Sequence, residues 1–211
     1  MKSRWVQLVQ GLGIAKASAV EIWRELAAAY GADGRFYHNL SHIEHTLDVA
    51  EQLREVAADF TAVQLALWFH DVVYDPRRSD NEAESAAYAA RVLRPLGVPD
   101  DLLAKVTTLI LATQTHEATN DPDGWVVLDA DLAILSASPA QYDAYAQAIR
   151  QEYSFVPEEA YVAGRTAVLQ KFLARKPFYL TAWMQELRDT AVYENLSREL
   201  AELKKRNTEG H

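Results

Sequence analysis

A chain of 211 residues with 49% hydrophobic and 24% charged side chains is long enough to bury a full core and has the make-up of an ordinary globular protein. Its net charge of −9 opposes adhesion to nucleic acid polymers or anionic lipid, both of which call for a basic field. The absence of cysteine excludes disulfide frameworks, thiolate nucleophiles and cysteine-held zinc or iron–sulfur centres together.

The opening "MKSRWVQLVQGLGIAKASAV" has a basic start, but Gln7 and Gln10 break the apolar run that a secretory leader needs. No uncharged apolar run approaches the ~18 to 20 residues that span a bilayer, so a cytoplasmic protein without a membrane segment is expected. Almost every segment has helical period and none has the alternation of a strand, which makes the expected fold class all-α. Ser18 is placed to cap a helix running to Tyr30, closed by Gly31. Ser41 and Glu44 form an S-x-x-E capping box ahead of an apolar stripe through Ile43, Leu47, Ala50, Leu53 and Ala57.

From Val63 to Phe69 the chain is apolar almost without relief, which predicts a central helix buried nearly all round. An alanine-rich helix spans Asn81 to Arg94, and Pro99 opens the next, through Leu103, Val106, Leu109 and Ile110. "DPDG" from Asp121 is too short for a calcium loop and reads as a turn. A short helix follows near Asp131, Pro139 and Pro157 open two more, and a last one runs from about Pro177 to Lys205. That last helix repeats Trp183, Leu187, Ala191, Leu196, Leu200 and Leu203. The turn signals between helices are short, so one domain over residues 1–211 is expected, with a tail frayed from about residue 206.

Three of the six histidines, His38, His42 and His45, fall within eight positions. At ~100° per residue the apolar stripe of that helix is centred ~45° from His42 and ~105° from His45, which turns His42 inward and His45 outward. The central helix ends in "LWFHDVVYD", where His70 and Asp71 stand together as apolar burial gives way to loop. Neutral imidazole and carboxylate suit a divalent ion, although a helix C-terminus also attracts histidine through its dipole. In "VVLDADLAIL", Asp129 and Asp131 are embedded among apolar residues, where carboxylates seldom lie without partners.

This order of a histidine, an adjacent His-Asp pair and a distant aspartate, all on helices, resembles the HD superfamily of metal-dependent phosphohydrolases. The resemblance covers about Arg35 to Leu196. "RFYHNLSHI", "FHDVVYDPRRSDNEAESA" and "LDADLAIL" look like the blocks of a bacterial subgroup of HD phosphohydrolases without a settled substrate. It implies a single HD-type helical bundle that cleaves a phosphoester of a small phosphorylated compound, with a nucleotide favoured. His42, His70, Asp71 and Asp131 would hold a divalent ion (Mn, Mg, Ni, Co or Fe). Asp71 would accept the proton of the attacking water, and His38 would protonate the leaving oxygen, as the YHNxxH block of cyclic-nucleotide phosphodiesterases suggests. Typical HD proteins place Val-Ala four residues after their first histidine, a spacing that His45 meets through Val49 and Ala50, so His42 and His45 both stay open as ligand.

Asp75 follows Asp71 at a spacing similar to the acidic pair of guanosine-tetraphosphate hydrolases, but Tyr74 stands where they have glutamate. Glu82 is a candidate for orienting water, and Arg78, with its neighbour Arg77, for contacting phosphate; solvated turn residues are the plainer reading of the two arginines. His116 is either a helix-end histidine or a ligand to a second ion. Arg150, Tyr153 and Arg165 resemble pocket positions of the subgroup. Two other readings keep the fold: a di-iron oxygenase using His38 and His116, and a non-catalytic nucleotide-binding domain. Neither the substrate nor the oligomeric state, a homodimer included, is decided at this level.

Overall fold

The computed structural model describes residues 1–117 and 120–209, with side chains as far as residue 206. The expected all-α class is what it shows: ten α-helices and no strand among the described residues. None of these helices is long and apolar enough to cross a membrane. The chain forms two compact units, Met1–Asp131 and Leu132–His211.

The first unit contains α1 (Lys2–Gly11), α2 (Lys16–Tyr30), α3 (Leu40–Gln52), α4 (Phe60–Phe69), α5 (Asn81–Leu93), α6 (Asp100–Ala112) and α7 (Pro122–Asp131). α4 is the hub, packed against α3, α5, α6 and α7. Its nearly unbroken apolar sequence, relieved only by Thr61 and Gln64, suits this place, and seven of its ten residues are buried. The Asp59 carboxylate caps it by accepting from the Ala62 N–H at 2.9 Å. α1, which carries no clear helical signal beyond its apolar positions, pairs with α2. It buries Trp5 edge-on against Trp68, with ring centroids 5.5 Å apart.

Several helix starts differ from the sequence expectation, at α3 and α7 because another side chain takes an orphan N–H group. α2 begins at Lys16, so Ser18 lies inside it and does not cap it. At α3 the cap is Asn39, whose side chain accepts from the Ser41 N–H at 2.9 Å, so Ser41 itself lies in the first turn. The "DPDG" segment is no free turn: Asp121 Oδ1 accepts from the Asp123 N–H at 3.1 Å, and Pro122 is the first residue of α7. Asp123 is 1% exposed. Its Oδ1 accepts from the N–H groups of Ala58 (2.7 Å) and Asp59 (2.9 Å), while Oδ2 meets Lys105 at 2.9 Å. Those three partners hold its carboxyl below the usual carboxylate range against the opposing effect of burial, which is the largest single influence. The same contacts anchor the near end of α7, whose far end is Asp131.

The second unit consists of a 3-10 turn (Leu132–Ser136), α8 (Pro139–Glu152), α9 (Glu158–Leu173) and α10 (Ala182–Glu209). Pro139 and Pro157 do open helices as expected, with Ser138 and Gln141 completing a capping box at α8. α10 starts five residues after Pro177. Phe178 and Tyr179, both buried, donate their N–H groups to the Asp189 carboxylate at 3.0 and 3.1 Å in the segment before that start. Its buried stripe is Met184, Val192, Leu196 and Leu203; Trp183 and Leu187 of the expected stripe are 37% and 61% exposed. The backbone of α10 is helical through Glu209, and the remainder of the expected frayed tail, residues 210–211, lies outside the described residues.

Candidate metal centre

Three elements of the first unit converge on one point. Asn39 starts α3 so that His42 falls in the first turn, on the same face as Ile43, Thr46, Leu47 and Ala50, and is 4% exposed. α4 ends at Phe69, which puts His70 at its C-cap, 1% exposed, and Asp71 on the next residue. α7 ends on Asp131.

His42 Nε2 lies 3.2 Å from His70 Nε2, 3.4 Å from Asp71 Oδ2 and 3.1 Å from Asp131 Oδ1. His70 Nε2 lies 3.0 Å from Asp71 Oδ2 and 3.4 Å from Asp131 Oδ1. Two atoms each about 2.1 Å from a shared cation are about 3.0 Å apart at a right angle and about 3.4 Å apart at a tetrahedral angle. All five separations fall in that window. His42, His70 and Asp131 alone could hold a metal ion, and Asp71 Oδ2 stands within the same range of both imidazoles.

The tautomer of His70 agrees with such a role. Its Nδ1 donates to the Leu67 carbonyl oxygen at 3.0 Å, so in the neutral ring the Nε2 lone pair faces the cluster. Two Nε2 atoms 3.2 Å apart satisfy each other only if one of them donates, whereas a cation between them satisfies both. His42 Nδ1 is buried and takes no hydrogen-bond partner.

Electrostatics bind the four groups together. Burial is the largest influence on each and opposes its charge. At His42 the bonds to Asp131 and Asp71 outweigh burial and raise the imidazole above its ordinary value; the charges of Asp71 and Asp131 raise His70 further. In return His70 and His38 hold the Asp71 carboxyl well below the usual range, while His70, His116 and His42 do the same for Asp131. The site therefore sets two half-buried carboxylates against two buried imidazoles, a negative charge that a divalent ion would offset.

His45 is half-buried on α3 and is not one of the clustered residues. The expected result is that His42→Ala loses metal in a cobalt titration while His45→Ala binds as the native chain does; the reverse order would reassign the ligand.

His38 sits at the rim, its ring stacked on Tyr74 with centroids 4.1 Å apart and 5.9 Å from the ring of His42. His116 is half-buried and reaches Asp131 from the other side. Its Nε2 is 2.7 Å from Oδ2, and its backbone takes a φ of 51°, a conformation that side chains other than glycine seldom adopt. Asp131 is thus oriented by His116 through one oxygen and turned to the cluster through the other.

Glu82 is half-buried in the first turn of α5. Its neighbours Asn81 and Ser85 lace the loop after Asp71 to that helix through the backbones of Asp75 and Val73. Arg78 is exposed and spends its guanidinium on Asp80 and Glu84, within its own loop and the start of α5. Arg150 and Arg165 belong to the second unit. Arg150 binds Glu158 and the carbonyls of Tyr153 and Val156, and Arg165 forms a two-pronged ion pair with Glu199. Two residues of the first unit escaped the sequence reading. Asp123 was hidden in a segment read as a turn, although Asp-Pro-Asp is also a helix-start signal; Arg35 was visible only as a letter in a block.

Comparison with family models, with curated proteins and with solved structures finds no match.

Proposed function

We propose that the chain is a metal-dependent phosphohydrolase of HD type, acting on a small phosphorylated compound, with a nucleotide as the favoured class. The observation that carries this reading is the approach of the His42 and His70 imidazoles to each other and to the carboxylates of Asp71 and Asp131, each at 3.0 to 3.4 Å, by residues in the order along the chain that the HD superfamily shows. A divalent ion held by these four groups would supply a Lewis acid that acidifies a water molecule and offsets charge on a phosphoryl group.

The remaining work falls to side chains. His42 and His70 present Nε2 with Nδ1 turned away, and Asp131 is held in place by His116. The Asp71 carboxylate accepts the proton of the attacking water. His38, stacked on Tyr74 at the rim, donates a proton to the departing oxygen. A net charge of −9 and the small enclosed cluster suit a small substrate in the cytoplasm better than a polymer. A hydrolysis screen over nucleotides, cyclic nucleotides and sugar phosphates, with Mn, Mg, Ni, Co and Fe supplied separately, tests the reading; no turnover with any metal would refute it.

The acid role of His38 gives a graded expectation. His38→Ala should lower turnover by ~10² to 10⁴-fold on an alkyl phosphate ester and much less on a p-nitrophenyl ester, whose leaving group needs little protonation. Equal losses on both would remove His38 from that role. The contact of His116 with the outer oxygen of Asp131 also keeps a di-iron oxygenase in play, with His38 and His116 serving a second ion. Two irons per chain with oxygen consumption would select that alternative.

A further inference from the structure

One arginine touches both loops of the site through their backbones. Arg35 Nη1 donates to the carbonyl oxygens of Asp71 at 2.6 Å and His38 at 3.1 Å, and Nη2 donates to that of Val72 at 2.9 Å. Its guanidinium carbon lies 5.2 Å from the centroid of the Tyr30 ring and 5.5 Å from that of Tyr74, the ring on which His38 stacks.

These contacts meet a specific need. A helix leaves its last carbonyls without intrahelical partners, and α4 is followed by irregular backbone through the site. The Tyr30 hydroxyl donates to the Trp68 carbonyl at 2.9 Å, and Arg35 donates to those of Asp71 and Val72, two and three residues past the last residue of α4. The same guanidinium then crosses to the His38 carbonyl, 33 positions before Asp71 in the chain and on a different loop. A planar cation with several donors in one fork can serve three carbonyls while lying against two rings. A lysine ammonium is a compact point charge without that plane.

We propose that Arg35 is a positioning residue that sets the placement of His38 relative to Asp71, by binding the backbone of both and bracing the ring on which His38 stacks. The inference deepens the phosphohydrolase reading and rests on it for its kinetic part, but its effect on cation affinity does not depend on turnover.

The test is Arg35→Lys in the full chain. Partners that orient ligands from outside typically contribute about 10 to 100-fold to metal affinity or activity. The variant should keep its helical circular dichroism, bind Co²⁺ about tenfold or more weakly, and lose about 10 to 100-fold in kcat with little change in KM. The loss should be larger for an alkyl phosphate ester than for a p-nitrophenyl ester. It should also shrink several-fold in a His38→Ala background, because displaced and absent proton donors cost the same. Tyr74→Leu, which removes the brace and leaves the carbonyl bonds, should reproduce the leaving-group dependence and spare Co²⁺ affinity. Native Co²⁺ affinity in Arg35→Lys, or losses that add fully to those of His38→Ala, would overturn the proposal. Collapse of the helical signal in both variants would overturn it too, by showing a purely structural role. If the native chain hydrolyses nothing, the phosphohydrolase reading falls while Co²⁺ affinity still decides whether Arg35 positions the Asp71 loop.

Discussion

Asp71→Ala should strip the chain of metal while leaving its helices standing. Asp71 Oδ2 lies 3.0 and 3.4 Å from the two imidazoles of the group formed by His42, His70 and Asp131, so in the proposed four-ligand site its loss removes one ligand and half of the carboxylate charge. A direct ligand should cost more than the about 10 to 100-fold typical of partners that only orient ligands. Metal content after desalting, measured by elemental analysis, should fall from near stoichiometric to background, and turnover should vanish with it. The helices should survive because Asp71 stands just past the end of α4, with its carboxylate at the rim of the core. Stoichiometric metal and native turnover in the variant would end the metal proposal.

The metal-free variant carries a pH signature as well. Asp71 is depressed below its ordinary 3.8, so its stabilising contribution is present above that pH and fades as pH falls through the folded value. His70 is raised above its ordinary 6.5, so its contribution is present below that pH and fades as pH rises through the folded value. The destabilisation caused by Asp71→Ala without metal should therefore be greatest between about pH 4 and 6.5 and smaller on either side. Urea titrations across that range would show it; a cost independent of pH would mean that the pairing contributes nothing to the fold.

Trp68→Ala should be the most destabilising single change in the first unit. The ring is fully buried at the end of α4, edge-on to Trp5 at 5.5 Å and to Trp23 at 6.0 Å, so it joins three helices. Truncating such a ring typically costs about 3 to 5 kcal/mol, against a total stability of about 5 to 15 kcal/mol for a domain. Because His70 follows two residues later, the same change should also weaken the cluster. Trp68→Phe should cost less than the alanine variant, since the indole N–H is buried without a hydrogen-bond partner and its removal breaks no bond. Denaturant unfolding followed by circular dichroism measures both. A loss under about 1 kcal/mol for Trp68→Ala would contradict the place given to this ring in the core.

The sequence by itself determined what depends on local pattern. A run that is apolar at almost every position is stable only where it is covered, so the burial of α4 could be read directly. Prolines that lack an N–H fit the first residue of α8 and the N-cap of α9 wherever the rest of the chain goes. The angle between a side chain and the apolar stripe of its helix is likewise local, which is why His42 could be turned inward before any neighbour was known; His45, turned outward by the same angle, is half-buried.

Tertiary structure decided whatever depends on partners distant in the chain. The Asp189 carboxylate takes the N–H groups of Phe178 and Tyr179, ten or more positions earlier, a pairing that no local pattern announces. Periodicity made Trp183 and Leu187 look like core, yet whether an apolar stripe is covered depends on which helix lies over it, and these two are left partly or largely exposed. Asp123 became a clamp only because Ala58, Asp59 and Lys105 fold against it. Arg35 acquired its role only where the carbonyls of His38, Asp71 and Val72 come within reach of one guanidinium. A carbonyl is present at every position and carries no signature in sequence, so which of them remain unpaired after the helices form, and which cation reaches them, is settled only when the chain has packed.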